Sequence, residues 1–169
     1  FAIAVIFADD AWRHGRANIR AAWDQARRRA GDILITVIGF YFLLYVAQLI
    51  GGILGSILHI PYIALALGAL AVWAFIYAIP AAAIGGVPAG GTFSTSLQAA
   101  KRQPLATAIL VIVCLVVYYY VGLTVPTMLN PYLGAGYDVA RILLAAIALG
   151  YVALVIARQY ADFAFRPYW

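Results

Sequence analysis

Side chains able to do chemistry are scarce in this chain. Of its 169 residues, 66% are hydrophobic and 10% charged, and none is a glutamate. Within the apolar stretches the polar side chains are Thr36, Gln48, Ser56, Thr107 and Thr124, all uncharged. Proton-coupled transport or hydrolysis inside a membrane calls for a buried carboxylate, a histidine pair or an HExxH-type arrangement. The sequence has none of these. The lone Cys114, in ILVIVCLVVYYY, can form neither an intrachain disulfide nor a multi-cysteine metal site, and it reads as a small buried hydrophobe. No catalytic or metal-ligating residue is assigned, and the chain reads as non-enzymatic.

One constellation does stand out: Ala47, Gly51, Gly55 and His59 recur every four residues on one helix face. Small residues at this spacing let a second helix approach closely, so the first reading is a packing ridge. Gly55-Ser56-Ile57-Leu58-His59 is also similar to the small-xxx-His pattern by which antenna helices hold a chlorophyll-type magnesium, and His59 could equally ligate a haem. The only other histidine, His14, falls on the opposite side of the membrane in the topology below, which excludes a bis-histidine haem within the chain. The expectation is no cofactor, with a chlorophyll-type pigment or haem on His59 as the alternative.

These residues must be placed by helices in a bilayer. Mean hydropathy is +0.96, and soluble domains carry about 25% charged residues. Gly31 to Ile60 holds no charge after Asp32 and exceeds the ~20 apolar residues that cross a membrane. The pattern predicts an all-α polytopic membrane bundle, a single membrane domain over 1–169. Its four full spans fall at about 32–58, 62–84, 104–125 and 138–156. Before them FAIAVIFA reads as the tail of an earlier span ending at Asp9, so the true N-terminus is expected upstream. Pro61 predicts a tight turn, Pro80 a kink in the second span, and PTMLNPYLGAGYD a loop after the third. Asp138 and Arg141 are spaced to pair on one helix face. Two amphipathic interfacial helices are expected, near 11–30 and 92–103.

Charge then orients the bundle. The net charge of +5 comes from eleven Lys and Arg against six Asp. If the first full span runs outward, Arg13, Arg16, Arg20, Arg27, Arg28, Arg29, Lys101, Arg102, Arg158 and Arg166 lie inside and Arg141 alone lies outside, a strong positive-inside bias. Arg16, Arg20, Arg27, Arg28, Arg29, Lys101 and Arg102 are expected to meet anionic lipid headgroups rather than nucleic acid. The localisation expected is a bacterial inner membrane with the arginine-rich loops cytoplasmic. Aromatic residues near the span ends fit interfacial belts, while Tyr41 and Tyr45 lie deeper, where each hydroxyl needs a partner.

The order of interfacial helix, outward span and returning span occurs twice. Sliding the chain by 74 residues aligns Phe1 with Phe75, Ala26 with Ala100, Arg28 with Arg102, Ile35 with Ile109, Tyr45 with Tyr119 and Tyr77 with Tyr151. Units 1–74 and 75–169 would then form a parallel repeat. The succession IYAIPAAAIGG, SLQAAKRQP and a span, with an echo at 1–50, resembles the membrane domain that accompanies some bacterial glycerophosphodiester phosphodiesterases, and related polytopic families. That domain is non-catalytic, so the resemblance implies architecture and no activity. The function expected is a non-enzymatic accessory or scaffold subunit of a larger bacterial membrane complex, an energy-converting one, with other transmembrane subunits as partners. The alternatives are a small transporter or lipid-handling protein, and a pigment- or haem-contacting subunit.

Overall fold

The computed structural model describes residues 1–15, 18–60 and 62–165. Arg16, Pro61, Arg166, Tyr168 and Trp169, on which sequence expectations fall, lie outside them. Among the described residues the chain is helical, with no strand.

Helix α1 (Ala2–His14) does not stop at Asp9. Asp9 and Asp10 pair one turn on with Arg13 and His14, at 2.9 Å each, so both carboxylates are satisfied on the helix surface. Gly15, at φ 65°, ends the helix by donating its N–H to the Ala11 carbonyl, a left-handed position that glycine adopts without strain. The expected interfacial helix over 11–30 is thereby divided. Its first residues belong to α1, and α2 spans Ile19–Arg28, where Asn18 accepts from the N–H groups of Arg20 and Ala21.

After a break at Arg29, α3 (Ala30–Leu58) runs on with Asp32 in its first turn. The chain returns through α4 (Ile63–Phe75) and α5 (Ala78–Ala83). Between these two the helix opens at Ile76 and Tyr77, because Pro80 has no N–H to give to the carbonyl four residues back and its ring crowds that carbonyl. Helix α6 (Ala89–Arg102) then leads into α7 (Pro104–Val117).

The third long helix departs from expectation. A π-helical segment, Tyr118–Thr124, joins α7 to α8 (Val125–Leu133), so the stretch read as a loop is helical to Leu133. Pro126 sits in the first turn of α8, where a missing donor is tolerated, and the wider turn lets the Val125 N–H reach the Tyr120 carbonyl five residues back. The Thr124 hydroxyl supplies a donor to the Tyr119 carbonyl at 3.1 Å. A short turn over Gly134–Gly136 precedes α9 (Tyr137–Phe165), which outruns the expected end near Ile156. Asp138 and Arg141 make no ion pair with each other.

Four helical stretches are long and apolar enough to cross a membrane: Ala30–Leu58, Ile63–Ala83, Pro104–Leu129 and Tyr137–Ala164. The buried core lies among α1, α5 and α9, built largely from small residues such as Ala8, Ala81, Ala83, Ala153 and Ala157. Tyr77 and Tyr160 belong to the same core, with ring centroids 6.3 Å apart. Basic residues gather at the same end. The Arg158 guanidinium lies 4.9 Å from the Trp12 ring, and that of Arg102 lies 5.6 Å from Phe163. Two pairs of helix starts share a spacing, Ala30 with Pro104 and Ile63 with Tyr137, each 74 residues apart, while the starts of α1 and α5 and of α2 and α6 do not.

Candidate functional site

Three places gather the polar and small residues. The first is a buried staple where the second long helix breaks. Opening at Tyr77 strands a carbonyl on Ala74 and an N–H on Tyr77, and Ser96 of α6 meets both. Its hydroxyl donates to the Ala74 carbonyl at 2.9 Å and accepts from the Tyr77 N–H at 3.1 Å. Tyr77 extends its own hydroxyl to Thr107 at 3.2 Å. At the far end of α5 the Ala83 carbonyl accepts from Gln25 at 3.1 Å and Arg29 at 3.5 Å, a cation placed at a helix C-terminus. Asp32 holds the first turn of α6 through the Ala89 N–H at 3.0 Å, and Thr36 and Thr92 meet at 3.3 Å. Every one of these groups has a partner within the chain, so this cluster is structural. Sequence reasoning missed Ser96, Gln25 and Thr92. The available signal was the proline kink itself, which implies stranded backbone groups that some neighbouring hydroxyl must satisfy.

The second place is the ridge. Gly51 faces α4 of the same chain so closely that a Cβ there would stand 2.5 Å from the Ala64 Cα. Ala47, one turn earlier, is half-buried. Gly55 serves the turn rather than a second helix: a Cβ there would stand 2.9 Å from the Ile60 carbonyl oxygen. His59 is exposed and takes the left-handed cap position at φ 56°, its N–H donating to the Gly55 carbonyl. His59 borders an open groove of about 440 Å³ that it shares with Gly51, Gly52, Gly55 and Ser56. Ile60 and Ile63 lie close to Gly55 on one side.

The third place is the outer surface of α3. Only Thr36, Gly51 and Gly55 of this helix are buried. Leu34, Ile38, Tyr41, Tyr45, Gln48 and Gly52 follow alternating spacings of four and three, a continuous stripe about 100° round from the α4 face. Its members are exposed, Tyr41 and Tyr45 to 64% each. Gln48, at the edge of this stripe nearest α4, lies beside Gly68 in a groove between α3, α4 and α7, and its amide makes no hydrogen bond among the described residues.

Of the basic residues, Arg20, Arg27, Arg28, Lys101 and Arg102 are exposed, while Arg29 is drawn inward to Ala83. Among the described residues outside the long helices, Asp10 carries the one shifted carboxyl. The Asn18 N–H and the His14 ring hold it below the usual carboxylate range. Compared with protein-family models, curated proteins and solved structures, the chain finds no match.

Proposed function

We propose that this chain is a polytopic membrane protein that serves as a non-enzymatic scaffold subunit of a bacterial inner-membrane assembly, docking a partner's transmembrane helix along the outer stripe of α3. The observation that carries the reading is the position of Gln48. In hydrocarbon an amide without a partner is costly, and interhelical bonds from Gln, Ser and Thr are a recurrent means of joining membrane helices. A stripe with four-three spacing is the seam that helices crossing at about 20° use. Tyr41 and Tyr45 add two more hydroxyls to the same seam.

The non-enzymatic part of the reading is supported by where the carboxylates sit. Asp9, Asp10 and Asp162 pair with Arg13, His14 and Arg158 on helix surfaces, and Asp32 caps α6. Arginines gathered at one end of the bundle support a cytoplasmic location for that end. The 74-residue spacing that relates the starts of α3 and α7 and of α4 and α9 supports two copies of one unit, 1–74 and 75–169, in parallel orientation. The resemblance of 75–125 to a non-catalytic membrane domain is consistent with that assignment.

Affinity purification of the full chain from its native membrane tests the proposal. A membrane-embedded partner should co-purify, and Gln48→Leu should weaken its retention while the chain stays folded. Recovery of the chain alone, or retention indifferent to Gln48, would refute it.

A further inference from the structure

We draw no further inference here: the strongest candidate, the open groove of about 680 Å³ between α3, α4 and α7 that Gln48 borders, belongs to the docking face already described, and nothing in the structure shows what covers it.

Discussion

Ser96 shows how much structure one hydroxyl can hold. It is fully buried, and it satisfies the two backbone groups stranded by the break ahead of Pro80. Ser96→Ala should therefore cost about 1–3 kcal/mol for each group left unpaired, read as a lower unfolding midpoint in detergent. Asp10 makes a prediction of a different kind. Its carboxyl is held below the ordinary value of 3.8 by the Asn18 N–H and the His14 ring. The ionised form is favoured in the folded chain, so this contribution is present above about pH 4 and lost as the pH falls through the lower, folded value. Protection of the Asn18 amide, relative to its intrinsic exchange rate, should fall in that range, and in Asp10→Asn it should be low at every pH. Neither residue was legible beforehand. A serine in SLQAAKRQ has no distinguishing neighbour in sequence, and its importance comes from a helix break 19 residues away in the chain.

At the scale of elements, Gly51 should be the least replaceable residue of α3. Its missing side chain admits backbone atoms of Ala64, which cannot yield as the end of a side chain can. Gly51→Leu should separate α3 from α4, and a disulfide engineered across that pair should stop forming. Gln48→Leu should leave the hairpin intact and weaken partner retention by about 1 kcal/mol, near fivefold in affinity. Hydropathy made the long helices legible because an uninterrupted apolar run of this length has few other uses. The ends were less so. PTMLNP carries turn formers, yet the chain stays helical through it to Leu133, since a π-helical turn absorbs the offset that Pro126 imposes. The run DDAWRHGRAN reads as one polar helix, yet Gly15 and the Asn18 cap cut it in two. The ridge at Ala47, Gly51 and Gly55 was visible as a pattern, but not that α4 and the following turn of the same chain occupy it.

Across the whole molecule, the bundle is narrow, well packed at one end and open along its flanks. The core of α1, α5 and α9 uses small residues, and α3 gives most of its surface away from the chain. Cysteine labelling from either side should place residues 92–103 with Arg29 and opposite Tyr132, as the distribution of arginines requires. A partner helix docked on the outward stripe of α3 would lie within reach of Tyr45. A photoreactive amino acid introduced at Tyr45 in native membranes should yield a discrete protein adduct, while the same group at Ile147 of α9, also exposed, should yield lipid adducts alone. If Tyr45 also yields lipid adducts alone, α3 faces the bilayer and no partner helix docks there.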